Sequence, residues 1–291
     1  MSQAGVIVVP AAVACLSLAI SLDLAATDLR ATLARRRQLA FGVLAQMATL
    51  PVLVLALSPF IADKGVVAAL LLVALVPSGP TSNYLAAVAR GDVAFAVLLT
   101  IIGTLLSVLL LPPLLPLLLH ATGYGLVGTV PPVVKLLQNL VLVVLLPLVL
   151  GMGIARRWPD QVRRLRPAIN RAAAIVFAVL VAGAIAAEWR TIAGIFARSA
   201  HWVLLVNVGA IAVAFLAARL ARLGAPQQTT LGLKCPLQNV SVAIAIAIAL
   251  MERLDVAAIA ALYGICQLVT ATAFALARKQ AQPPPALTHP A

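Results

Sequence analysis

Charged and aromatic residues are scarce in this chain, and acidic residues are the scarcest of the charged ones. Of its 291 residues, 63% are hydrophobic, 10% are charged and 4% are aromatic. Soluble domains carry about 25% charged residues, so this composition excludes a soluble globular protein. The net charge of +13 does not indicate nucleic-acid binding, because the basic residues lie between apolar stretches, where they act as topology signals.

Cysteine and acidic residues are too few and too scattered for several kinds of site. Cys15, Cys235 and Cys266 lie in apolar stretches without metal-ligand spacing, which argues against a disulfide framework or a zinc site. All 8 Asp and Glu lie near the ends of apolar stretches or between them, and there is no His-Glu-x-x-His motif. We therefore expect neither an intramembrane enzyme nor a bound cofactor.

Long apolar runs make up most of the sequence, and a spanning helix needs about 20 such residues. The pattern predicts an all-α, polytopic membrane protein with nine spans and a disordered tail at 280–291. The predicted spans are Gly5–Ala26, Gln38–Phe60, Gly65–Arg90, Val93–Leu119, Pro131–Ala155, Pro167–Ala187, His201–Leu220, Gln227–Leu250 and Val256–Ala277.

The distribution of basic residues predicts the orientation of these spans. With the N-terminus outside, fifteen of the 21 Lys and Arg fall on the cytoplasmic side and five on the outer side, with Lys234 within the membrane. Positive residues are enriched on the cytoplasmic side. We expect a multi-pass protein of the cytoplasmic (inner) membrane with its N-terminus out and its C-terminus in.

Two of the apolar runs are interrupted at matching places. The first contains Pro80-x-Ser82-Asn83, and the second contains Pro236-x-Gln238-Asn239 beside Lys234. Proline removes a backbone donor and breaks or kinks an apolar helix. Paired interrupted spans in the two halves of a chain indicate the binding site of a transporter. Two ordinary proline kinks are the alternative.

The motifs around these interruptions resemble those of the bile acid:sodium symporter family. Pro77–Asn83 followed by Ala89–Val93 is similar to the family's Pro-Gly-Gly-Thr-Ala-Ser-Asn…Lys-Gly-Asp-Val signature. Gln46 with Pro51 resembles its Gln-x-x-x-x-Pro, and Leu237–Asn239 resembles the Gln-Asn motif of its second crossing helix. The order and spacing of these motifs extend the resemblance over nearly the whole chain.

The resemblance implies an inverted repeat with two broken, crossing helices, in which the first helix of the first repeat is absent. A core domain would comprise residues 38–119, with its broken helix at 65–90, and residues 201–277, with its broken helix at 227–250. A panel domain would comprise residues 5–26 and 131–187. A small organic anion would bind between core and panel, near the crossing.

The resemblance also implies site residues. Ser82, Asn83 and Thr100 match one sodium site of the family, and Gln46 and Gln238 match the other. Substrate contacts are expected from Pro80, Thr81 and Asn239.

The chain departs from the family at its sodium sites. Ala96 stands where the family has a hydroxyl ligand, and Lys234 stands where it has the acidic residue that serves both sites. Two like unit charges ~4 Å apart repel by ~4 kcal/mol at an effective dielectric of ~20, which is about three powers of ten in affinity. We therefore interpret the chain as a sodium-site-altered member of the family with no firmly assigned metal.

Lys234 is the residue on which the functional prediction depends, because an ionisable group inside a membrane is a functional-site candidate. Its amine could occupy the place of a sodium ion and bind and release protons, or remain charged and attract an anion in uniport or exchange. Snorkelling or a structural pair is the alternative. The prediction is a secondary transporter of small organic anions; sodium:organic anion symport and a non-transporting sensor or structural protein are the alternatives.

Overall fold

The computed structural model describes residues 30–79, 81–123, 146–162 and 189–281, with shorter pieces at 138, 141–142, 164–165, 167–169, 171–172 and 175. Over these residues the secondary structure is helical, with one isolated antiparallel bridge between Ser78 and Gln238. The helices are α1 Arg30–Ala34, α2 Arg36–Leu57, α3 Lys64–Leu75, α4 Thr81–Val88, α5 Val93–Ala121, α6 Leu146–Arg157, α7 Trp189–Leu220, α8 Ala225–Lys234, α9 Val240–Ala249 and α10 Leu254–Ala281.

Four stretches are long and apolar enough to cross a membrane. They are Arg36–Phe60, Val93–Ala121, Gly194–Leu220 and Leu254–Ala281. They confirm an integral, all-helical membrane protein over the described residues and agree with four of the predicted spans. The predicted first span lies outside the described residues, as do large parts of the fifth and sixth, so the count of nine stays a prediction.

Both predicted interruptions break their helices. The first apolar run contains α3 and α4, and residues 76–79 after α3 are not helical. The second run consists of α8 and α9, separated by a turn at Cys235–Pro236 and an extended stretch. Helix α3 is hydrophobic all round, and its residues from Gly65 to Leu75 are buried, as expected of a helix in the centre of a bundle.

The two broken helices cross where their extended segments pair. We call residues 77–79 and 237–239 the crossing. Gly79 N–H donates to Leu237 O at 3.0 Å, and Asn239 N–H donates to Pro77 O at 2.8 Å. A Cβ on Gly79 would lie only 3.3 Å from Gln238 O, so this close approach favours glycine. The pairing gives partners to backbone groups that the broken helices leave free.

A second contact joins the two broken helices at the other end of α4 and α8, where the loop before α5 reaches the first turn of α8. The backbone N–H of Asp92 lies 3.3 Å from Pro226 O and 2.9 Å from Thr230 Oγ1. A Cβ on Gly91 would lie 2.7 Å from Thr230 Oγ1, so only glycine fits here without a shift. Asp92 also caps α5, because its Oδ1 accepts from Phe95 N–H at 3.0 Å.

Two boundaries differ from the sequence prediction. Helix α7 begins at Trp189 rather than His201, because hydropathy marks where the apolar part of a helix begins and not where its hydrogen bonding begins. Arg198 and Ser199 continue the helix, and both donate to carbonyls one turn back. Helix α10 includes Gln280 and Ala281, so the tail predicted at 280–291 begins two residues too early; its remainder lies outside the described residues.

Candidate functional site

Lys234 is the last residue of α8 and is fully buried. Its amine reaches the first broken helix and the span that follows it. Nζ lies 2.9 Å from Ser82 Oγ, 3.2 Å from Asn83 Oδ1 and 2.5 Å from Thr100 Oγ1. We call these four residues the amine site. The side chain does not snorkel to a surface, so that alternative is wrong for this arrangement.

The hydrogen-bond inventory of the amine site fits a charged lysine. Ser82 Oγ donates its hydrogen to Gly79 O at 2.6 Å, and Thr100 Oγ1 has acceptors at 3.0 Å in Asn83 Oδ1 and Ala96 O. The three oxygens that face Nζ therefore act as acceptors. An ammonium supplies three N–H donors, whereas an uncharged amine supplies two.

The Lys234 amine occupies the space between the three oxygens of the amine site. The three oxygens converge on Nζ and accept its hydrogen bonds. No acidic side chain contacts the amine among the described residues, and these residues hold no group of three or more His, Cys, Asp or Glu able to bind a metal.

Gln46 and Gln238 lie near the amine site but do not contact Lys234. Gln46 Nε2 donates to Leu99 O at 3.3 Å, beside Thr100. Gln238 Nε2 donates to Cys235 O at 2.7 Å. The Oε1 atoms of both glutamines are buried and have no hydrogen-bond partner among the described residues. Unpaired carbonyl oxygens are suitable ligands for a hard cation.

The predicted substrate contacts lie at the ends of the crossing. Asn239 precedes α9 and is half-buried, and Thr81 begins α4 and is exposed. Pro80 lies outside the described residues. The structure thus brings Lys234, Ser82, Asn83 and Thr100 together and bonds Gln46 and Gln238 to backbone next to them, at Leu99 and Cys235.

Sequence reasoning missed a set of polar residues on α10. Tyr263 and Gln267 are buried and bond to the backbone of Pro236 and Gln238, and Thr270 bonds to Asn207 on α7. The sequence pattern could have indicated them, because Tyr263, Gln267 and Thr270 are polar residues at i, i+4 and i+7 of an apolar span and therefore share one helix face.

The long apolar helices packed around two broken, crossing helices define a multi-pass membrane protein, and the built polar site within it is typical of a transporter. The chain matches the sequence model of the Sodium Bile acid symporter family over residues 10–195. That match covers more than half of the chain, so the protein belongs to this family. It includes Gln46, Ser82, Asn83 and Thr100 and ends before Lys234. No curated protein matches the chain significantly.

Proposed function

We propose that this protein carries a small organic anion across the cytoplasmic membrane by alternating access, without coupling to sodium. Membership of a symporter family supports transport rather than catalysis. The observation that carries the rest is the Lys234 amine, fully buried and bonded to three oxygens, at the position that resembles the acidic sodium ligand. A tethered cation there performs the structural role of a bound ion without needing a gradient.

The charge of Lys234 indicates an anionic substrate. Burying an ammonium without a countercharge is costly, and no acid contacts it among the described residues. A carboxylate bound between core and panel, near Asn239 and Thr81, would supply the missing negative charge. Pyruvate-like carboxylates, pantoate and bile acids all carry such a group.

The finer architecture belongs to the same proposal. The order of the helices supports an inverted repeat, because a long helix, a broken helix and a second long helix occur twice. The first unit is α2, α3–α4 and α5, and the second is α7, α8–α9 and α10. The antiparallel bridge between Ser78 and Gln238 supports entry of the broken helices from opposite sides. We include in the proposal nine spans, the division into core and panel, and an N-terminus outside the cell.

Flux in proteoliposomes tests this function. Uptake of labelled pyruvate, pantoate and taurocholate is measured with a sodium gradient, with a proton gradient and with neither. We expect uptake of at least one anion at the same rate with and without sodium, and its loss or reduction in Lys234→Met. Uptake driven by sodium at full rate contradicts sodium independence. Absence of flux for the three anions would favour a non-transporting protein.

One observation favours a second candidate, a conventional sodium:organic anion symporter that uses a single remaining ion site. The unpartnered Oε1 atoms of Gln46 and Gln238 are oxygen ligands without a present role. In this case sodium would accelerate uptake, and the Gln46→Leu variant would lose the acceleration while Lys234→Met would keep it.

A further inference from the structure

Gln267, in the middle of α10, pairs its side-chain amide with the backbone of Gln238. The backbone N–H of Gln238 donates to Gln267 Oε1 at 2.9 Å, and Gln267 Nε2 donates to Gln238 O at 3.1 Å. Both side chains are buried. The primary amide thus satisfies both backbone groups of one residue, as a neighbouring β-strand would.

The other edge of the same segment is paired with the first broken helix. Leu237 and Asn239, on either side of Gln238, bond to Gly79 and Pro77. Backbone groups of successive residues in an extended segment point to opposite edges. The second crossing segment is therefore bonded on both edges, like a central strand, and Gln267 takes the place of the third strand.

Tyr263, one turn before Gln267, strengthens this attachment. Its hydroxyl donates to Pro236 O at 2.9 Å, so α10 bonds to the residues on both sides of Leu237. Thr270, one turn after Gln267, bonds instead to Asn207 on α7. The attachment to the crossing thus involves Tyr263 and Gln267, and Thr270 shares their helix face without joining it.

Within the described residues, the first crossing segment has no side-chain attachment like the one that Gln267 makes to the second. Gln267 follows Gln238 by 29 residues, and the residue at the same spacing after Ser78 is Ser107. The hydroxyls of Ser78 and Ser107 are buried and make no hydrogen bond to described residues. The side-chain attachment is thus confined to the second segment, which carries Gln238 and Asn239.

We propose that Gln267 is a positioning residue that fixes the crossing segment of the second broken helix, and with it the side chains of Gln238 and Asn239. This inference rests on the proposed transport function for its consequence, since those side chains are the expected ion and substrate contacts. Removal of the amide costs Gln238 the shorter of its two N–H bonds and one of the two bonds to its carbonyl. The bonds that remain are local, from Gln238 N–H to Pro236 O at 3.2 Å and from Val240 N–H to Gln238 O at 3.0 Å. The segment then loses its Gln267 attachment to α10, which favours local opening.

Cys235 supplies a readout that needs no substrate. It lies just before the crossing, is buried and is a free thiol. In a full-length Cys15→Ser, Cys266→Ser background, the rate of maleimide labelling of Cys235 reports opening of this segment. Gln267→Met removes both hydrogen bonds at similar side-chain length and should raise the labelling rate by about tenfold or more. Thr270→Val is the matched control and should leave it unchanged.

Labelling of Gln267→Met at the rate of Thr270→Val would overturn the proposal. If Gln267→Met does not fold, Gln267→Asn provides the same comparison, because its shorter amide cannot reach both backbone groups. A parallel measurement of pantoate and pyruvate uptake should show a higher KM with a smaller change in maximal rate. Faster labelling in a protein that carries neither anion supports the positioning role and counts against the transport proposal, so the two failures are distinguishable.

Discussion

The Nζ atom of Lys234 lies 2.5 Å from Oγ1 of Thr100, a residue 134 positions earlier on a different helix. This contact joins the end of α8 to the first third of α5. Thr100 also has Asn83 Oδ1 at 3.0 Å, so it links two of the other members of the amine site. The position of the Lys234 amine is therefore set by side chains from two other helices, α4 and α5.

Loss of the Thr100 hydroxyl should destabilise the protein, because it removes one acceptor from a buried charge. We expect Thr100→Val to lower the free energy of unfolding by about 1.5–3 kcal/mol, the range for hydrogen bonds to charged groups. Thr104→Val is the matched control, since the Thr104 hydroxyl donates to Thr100 O and makes no contact with Lys234. Urea or thermal unfolding in detergent compares them, and an equal loss in both variants would contradict the role of the hydroxyl.

An acidic residue at position 234 should create a sodium site. In Lys234→Glu, a carboxylate would join the oxygens of Ser82, Asn83 and Thr100 as ligands for a hard cation. Sodium that binds only the folded state stabilises it by about 2.7 kcal/mol at 100 times its Kd. Thermal unfolding in sodium chloride and in choline chloride measures the effect. We expect a sodium-specific rise in Tm for Lys234→Glu and none for the native protein; the reverse order would contradict the proposal.

The charge of Lys234 should discriminate a carboxylate from its neutral analogue. At a separation of ~8 Å and an effective dielectric of ~20, two opposite unit charges attract by ~2 kcal/mol, or roughly thirtyfold in affinity. We expect pyruvate to stabilise the native protein against heat more than methyl pyruvate does, and the preference to shrink in Lys234→Met. A preference of the same size in both proteins would show that another group recognises the anion.

Asp92 should stabilise α5 mainly as a helix cap rather than through its ion pair. Its contact with Arg35 spans 3.7 Å, and the arginine side chain is 55% exposed, where ion pairs contribute at most about 1 kcal/mol. Asn retains the side-chain oxygen that accepts from Phe95 N–H, whereas Ala loses it. We expect Asp92→Ala to cost about 0.5–2 kcal/mol and Asp92→Asn less. Thermal unfolding ranks the two, and equal losses would assign the effect to charge.

The sequence was sufficient to predict where the apolar helices break, because each interrupted run has a proline followed, after one residue, by two polar side chains. It was not sufficient to show why other prolines leave their helices intact. Pro51 lies inside α2, and Pro112 and Pro113 lie inside α5. The difference is that the broken segments pair with each other, and such long-range pairing leaves no local pattern.

The amine site was predicted only in part, because some of its contacts also depend on long-range packing. Ser82 and Asn83 were expected near Lys234 from the resemblance, and the contacts place them there. Two contacts were not predicted: the Gln238 side chain bonds to Cys235 O, and Gln267 bonds to the backbone of Gln238. Both contacts depend on how α8 and α10 are rotated about their axes. Helix rotation follows from packing against neighbours, which composition and spacing do not specify.

The contact of Asp92 with Pro226 and Thr230 lies well away from the crossing, so the two broken helices are fastened together at two separate points. Two helices attached at one point can rotate relative to each other about that point, whereas two helices attached at two points cannot. In the proposed transport cycle, access to the two sides of the membrane would then change by displacement of the two broken helices as one unit against their surroundings, with no bending at the middle of either helix.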